Sequence, residues 1–195
     1  MIVLALTGSI GMGKSATLRL FAEAGCATWD ADAAVHRLYE AGGAGAAVVA
    51  GLFGEGVLTP TGAVDRPALG RIVLGDEAAM TRLEAVIHPL VGEDRQAFLA
   101  RARADGARVA VLDVPLLFET NGEGMADAVV LVTADEAVRR ARVLERPGMT
   151  DAKLDAILAR QMGEAERTAR ADHVIRTDGG VEAARAAVAD ILRTV

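Results

Sequence analysis

The sequence predicts an α/β fold built on a parallel sheet. Two features carry that expectation: short, continuously apolar runs, and helical periodicity between them. Ile2 to Thr7, Val109 to Leu112 and Ala128 to Val132 are apolar throughout rather than alternating, the pattern of strands covered on both faces. Each ends at a glycine or at a residue with an oxygen-bearing side chain: Gly8, Asp113 and Thr133.

The elements follow in order. Leu18, Leu20, Phe21 and Ala24 recur at helical spacing from Lys14 to Ala24, and Gly25 supplies the stop. Cys26 to Trp29 is a short strand that runs into Asp30-Ala31-Asp32. Helical patterns dominate from Ala33 to Asp105, with a glycine-rich break from Gly54 to Gly62. That stretch exceeds a minimal crossover and reads as a helical insert. Helices are expected over Asp135 to Glu145 and Asp151 to Met162, then a strand from His173 to Arg176 and a helix from Val181 to Leu192. The sum is a five-stranded parallel sheet between helical layers. The chain divides into a core (1–32 and 106–195), an insert (33–105) and a lid region (139–165).

A chain of 195 residues is long enough for one domain with its own core. Its single cysteine, Cys26, excludes an internal disulfide framework, and a reducing, cytoplasmic setting is expected. A net charge of -6 argues against nucleic acid as a partner. No apolar run approaches a membrane span. Met1 to Thr7 lacks a basic leader and runs into glycine, so it reads as a buried strand rather than a signal peptide. A monomer is expected.

Only two of the 21 basic residues are lysines, Lys14 and Lys153. The first lies in Gly8-Ser9-Ile10-Gly11-Met12-Gly13-Lys14-Ser15, a match to G-x-x-x-x-G-K-[ST] between a predicted strand and a predicted helix. Glycines let successive amides turn toward phosphate oxygens, and the helix N-terminus adds partial positive charge. Lys14 brings a full charge to the β- and γ-phosphates, and the Ser15 hydroxyl is a hard ligand for Mg²⁺. Gly8, Gly11, Met12, Gly13, Lys14, Ser15 and Ala16 are therefore the expected triphosphate contacts. The sole asparagine, Asn121, precedes glycine. The N-K-x-D signature of guanine recognition is therefore absent, and ATP is favoured.

Asp30, Asp32 and Asp113 stand at predicted strand ends, the edge where ligands bind in open parallel sheets. A carboxylate there can orient Mg²⁺ through water, with Asp30 and Asp113 as the candidates, or accept a proton from an attacking hydroxyl. Each also has a structural alternative. Asp32 could cap a helix starting at Ala33, Asp30 could serve a turn, and Asp113 could cap a turn before Pro115. Arg139, Arg140, Arg142 and Arg146 precede Pro147-Gly148, as in a mobile lid whose guanidinium groups neutralise a transferring phosphoryl group. The helix before Pro89 is expected to stop at His88.

These residues together resemble the dephospho-coenzyme A kinase family. The resemblance rests on Leu6 to Ser15, Asp30-Ala31-Asp32, Ile87-His88-Pro89 and Asp113-Val114-Pro115-Leu116-Leu117-Phe118-Glu119. It extends through the arginine lid, Gln161 and Ala171-Asp172. It implies a P-loop kinase-like three-layer fold. It also implies transfer of the ATP γ-phosphoryl group to the ribose 3′-hydroxyl of dephospho-coenzyme A. On that model Asp32 is the general base, Lys14, Arg142 and Arg146 act on the phosphates, and Asp30, Asp32, His88, Asp113, Leu116, Leu117 and Phe118 line the acceptor site. Other small-molecule or nucleotide kinases, and a nucleotide-gated binding module, are the competing readings. Ser9, Met12, Ala16, Pro147-Gly148 and Thr177 depart from the commonest family pattern.

Overall fold

The apolar runs become the strands of one sheet in a computed structural model that describes every residue except Arg160. The strands are β1 (Ile2–Thr7), β2 (Ala27–Asp30), β3 (Val109–Asp113), β4 (Ala128–Thr133) and β5 (His173–Arg176). Their spatial order is β2-β3-β1-β4-β5. β1 pairs in parallel with β3 on one side, in register Leu6 to Asp113, and with β4 on the other, in register Thr7 to Leu131. β4 pairs in parallel with β5.

Contacts divide the chain into two compact units: Met1–Trp29 with Ala102–Val195, and Asp30–Arg101. The second unit starts and ends slightly before the expected insert of 33–105. In the first unit the strand period of two sorts side chains between faces. Leu4, Leu6, Val109, Val111, Val130, Val132 and Ile175 bury one face with Leu20 and Phe21 of α1 (Lys14–Glu23) and Ala184, Val188 and Ile191 of α9 (Val181–Thr194). Ala5, Val129 and Leu131 bury the other with Leu117 and Phe118.

The second unit holds α2 (Ala31–Leu38), α3 (Ala44–Phe53), a 3-10 turn (Glu55–Val57), α4 (Arg66–Val73) and most of α5 (Glu77–Ala104). Its core joins Ala46, Val49, Val57, Leu69 and Val73 to Ala79, Leu83 and Ile87. The last three recur every fourth residue, which keeps one face of α5 inward. Asp65 and Asp76 stop the chain from unravelling at helix starts, accepting from Ala68 and Ala79 amides at 3.0 and 2.9 Å.

Two expectations are corrected. The helix does not stop at His88: α5 runs through Pro89 for 28 residues. Pro89 deprives only the Ala85 carbonyl of its donor. Both residues lie on the exposed side of the helix, where water can serve that carbonyl. Nor is there one helix from Asp151 to Met162. After α6 (Glu136–Leu144), α7 (Asp151–Leu158) ends early and α8 (Glu164–Arg170) follows. Arg160, which falls inside the expected helix and lid, lies outside the described residues. The break is built by side chains that take over the backbone groups of Met162. Glu119 Oε1 accepts from its amide at 3.1 Å, and Arg167 Nε donates to its carbonyl at 2.8 Å.

Among the described residues no helix is long and apolar enough to cross a membrane.

Leu6 lies on the central strand with no exposed surface. Leu6→Ala is expected to lower unfolding free energy by ~2–5 kcal/mol, read as a lower midpoint in urea. An unchanged midpoint would contradict this account of the core.

Candidate phosphoryl-transfer site

The glycine loop turns between β1 and α1 because its backbone comes too close to neighbours for any side chain. A Cβ on Gly8 would sit 2.5 Å from the Val132 carbonyl oxygen. One on Gly11, at φ +79°, would sit 2.5 Å from Val143 Cγ2. Gly13 caps α1 without a side chain, so nothing local satisfies the first-turn donors. Met12 donates its amide to the Ser9 carbonyl at 3.3 Å. The amides of Gly11, Gly13, Lys14 and Ser15 have no acceptor among the described residues. Successive open amides at a helix N-terminus are the donor set a polyphosphate needs.

Lys14 is paired with Asp113 at 2.5 Å, and Asp113 is 1% exposed. The register that sets Leu6 opposite Asp113 brings the carboxylate to the loop. Asp113 is therefore a partner of the loop lysine. Ser15 is exposed, Ala16 likewise, and Met12 is buried. Met12 contributes backbone and packing.

The loop is held from three sides. Ser9 donates to Gln161 Oε1. Thr177, just after β5, donates its hydroxyl to the Met12 carbonyl at 2.8 Å. Arg142 of α6 donates to the Thr177 hydroxyl and carbonyl at 2.8 and 2.9 Å. Both terminal nitrogens of Arg142 are thus engaged by Thr177. Arg139 borders Gly11 through its Cγ and pairs with Glu136 at 3.3 Å. Arg140 ties α6 to α7 through Asp151 and Asp155, at 3.1 and 2.7 Å. Arg146 is exposed and makes no side-chain bond among the described residues, which leaves it the lid arginine available to a ligand.

Leu117 and Phe118, just after β3, are buried in the core, while their neighbour Leu116 is 47% exposed. Arg170 stacks over the Phe118 ring at 5.1 Å and also pairs with Glu123. The Glu123 carboxyl is held below its ordinary range, first by its own backbone amide and then by Arg170. Burial pushes the Cys26 thiol up, which keeps it a poor nucleophile.

Asp30, Asp32 and His88 belong to the second unit. The structure separates the two aspartates. Asp30, not Asp32, is the N-cap of α2: its Oδ1 accepts from the Ala33 amide at 3.0 Å. Asp32 is exposed in the first turn and has no hydrogen bond or ion pair among the described residues. His88 is exposed on α5 and likewise makes no side-chain bond.

Sequence reasoning missed Thr177 and Arg139 as neighbours of the loop. The strand-end rule that selected Asp30 and Asp113 would also have selected Thr177 had it been applied to β5. Arg139 was singled out only as one of the clustered arginines, and the approach of α6 to Gly11 is what brings it to the loop.

Comparison with known proteins decides among kinases of this architecture. The family model for dephospho-CoA kinase matches residues 2–183. The chain belongs to the dephospho-CoA kinase family. A family relative from Mesorhizobium japonicum is 57% identical over 192 residues, spanning 98% of this chain and 95% of the relative. A crystal structure from Thermus thermophilus superposes with a TM-score of 0.84 at 34% identity, covering 100% of this chain and 97% of the other. The dephospho-CoA kinase of Campylobacter jejuni shares the fold, with a TM-score of 0.66 at 20% identity over 98% of this chain and 96% of that one. The five-stranded α/β architecture expected from sequence is that of P-loop kinases.

Lys14→Ala removes the only lysine of the loop and should cut turnover at least ~10²-fold in a coupled ADP-release assay. Turnover near that of the unaltered enzyme would refute the assignment.

Proposed function

We infer that the chain transfers the γ-phosphoryl group of ATP to the ribose 3′-hydroxyl of dephospho-coenzyme A, giving coenzyme A and ADP. The observation that carries the reading is the run of open amides at Gly11, Gly13, Lys14 and Ser15 beside a paired lysine, in a chain of this family.

Binding begins with exchange of partners. The ATP phosphates draw Lys14 from Asp113 and satisfy the loop amides, so one buried pair is replaced by several charge-assisted hydrogen bonds. Magnesium suits the oxygens offered here. The Ser15 hydroxyl and Asp113 carboxylate are hard donors, and no cluster of three His, Cys, Asp or Glu side chains exists among the described residues. That balance suits an ion held mainly by substrate phosphates and water. Ser15 and Asp113 would hold the ion, and Asp30, engaged as a cap, would not. When bound, magnesium neutralises charge on the β- and γ-phosphates.

Transfer breaks the bond between the γ-phosphorus and the ADP oxygen and forms one to the acceptor oxygen. The acceptor proton passes to Asp32, whose carboxylate is exposed and uncommitted. Proton transfer can trail phosphoryl transfer in a loose transition state, so an ordinary carboxylate suffices. Arg146 carries the charge of the transferring group, while Arg142 holds the loop. His88 and Leu116 offer exposed polar and apolar contacts to the long acceptor.

The test is an acceptor screen. ADP should form with dephospho-coenzyme A and not with shikimate, adenosine or nucleoside monophosphates; equal ADP release without an acceptor would favour a nucleotide-gated switch. In the same assay Asp32→Asn should keep MgATP affinity and lose about 10²-fold in kcat. Loss of ATP binding with normal residual turnover would assign Asp32 to the metal or the fold instead.

A further inference from the structure

Thr177 lies between β5 and α9 and is engaged at every polar atom. Its amide donates to the Thr133 carbonyl at 2.9 Å. Its carbonyl accepts from Arg142 Nη2 at 2.9 Å. Its hydroxyl accepts from Arg142 Nη1 at 2.8 Å and donates to the Met12 carbonyl at 2.8 Å, with the Thr133 carbonyl a longer second acceptor at 3.3 Å. A hydroxyl has one hydrogen and can accept while it donates, so Arg142 and Met12 are served together through one oxygen.

The Met12 carbonyl and the Gly13 N–H belong to the same peptide. A trans peptide points these two groups in opposite directions. By holding the carbonyl, Thr177 turns the Gly13 N–H away from itself, and that N–H has no other acceptor among the described residues. Gly13 also packs directly on Thr177: a Cβ there would stand 3.2 Å from its Oγ1 and 3.3 Å from its Cγ2. Thr177 is 8% exposed, so water does not readily replace the lost bonds.

We propose that Thr177 is a positioning residue. Its hydroxyl relays the position of Arg142, on the lid-bearing helix α6, to the Met12–Gly13 peptide of the phosphate loop. Thr177 touches no reacting atom. It sets the aim of a phosphate-binding amide and makes that aim depend on where α6 sits. The proposal rests on the ATP-dependent reading of this loop.

Thr177→Val keeps the shape and removes the hydroxyl, whereas Thr177→Ser keeps the hydroxyl. In calorimetric titration with MgATP, Thr177→Val should bind about tenfold more weakly, and Thr177→Ser should bind like the unaltered protein. KM for ATP should rise with kcat changed much less. A second readout is amide hydrogen exchange without nucleotide at Met12 and Thr177, the hydrogen-bonded amides at the two ends of the relay, where direct contact between Arg142 and ATP plays no part. Exchange should quicken in Thr177→Val and in Arg142→Met, and the double variant should be no faster than either. That arm also stands if Thr177→Val is poorly folded, because Arg142→Met alone should then quicken exchange at these amides. Unaltered affinity in Thr177→Val, an equal defect in Thr177→Ser, unaltered exchange in Arg142→Met, or additive exchange effects would overturn the relay. An unaltered protein that fails to bind MgATP would instead overturn the functional reading beneath it.

Discussion

Everything in the first unit is arranged around backbone that tolerates no side chain. Gly8 lies against the Val132 carbonyl and Gly11 against Val143, so β4 and α6 form the bed of the loop. That close approach fixes the path of the chain from β1 into α1 and leaves a row of amides without partners among the described residues. Unsatisfied donors are costly where water is scarce. Here they sit at a helix N-terminus, where an anion recovers the cost. The binding site is therefore stored as an unfinished piece of hydrogen bonding.

Charges around the loop divide into those already spent and those held ready. Lys14 is balanced by Asp113, Arg142 by the oxygens of Thr177, Arg140 by Asp151 and Asp155, and Arg170 by Glu123. Arg146, just after α6, is unengaged among the described residues. A kinase needs this contrast. Positioning groups gain from being locked in place, while groups that meet the transferring phosphoryl and the attacking hydroxyl must be free to change partners. The early break after α7 fits the same scheme, because Glu119 and Arg167 pin Met162 and so fix one end of the lid segment.

Much of this was legible in the sequence because it is written in local patterns. Continuous apolar runs located β1, β3 and β4, and the loop motif located the open amides at the start of α1. His173 to Arg176 was read with its observed bounds. What failed was whatever depends on a distant partner. Pro89 signalled a helix end, but Leu90 and Val91 beyond it pack against the same core as Leu83 and Ile87 before it, and the helix runs through. A cap was the alternative role for Asp32, but Asp30 is the cap, since strand β2 extends a residue further than its apolar run. The family resemblance put Leu117 and Phe118 at the acceptor, and nothing local in the sequence showed that both are buried in the core. Arg142 and Arg146 are alike in sequence and differ because one meets Thr177, 35 residues later, and the other meets solvent.

The claim beneath all of these is that the loop amides themselves grip the phosphates. Backbone amide NMR during titration with MgATP tests it most directly. The resonances of Gly11, Gly13, Lys14 and Ser15 should move downfield together and saturate at one stoichiometric equivalent, as free donors become hydrogen-bonded to anionic oxygen. Saturable nucleotide binding that leaves those four signals in place would show that the phosphates are held elsewhere, and the account would fail.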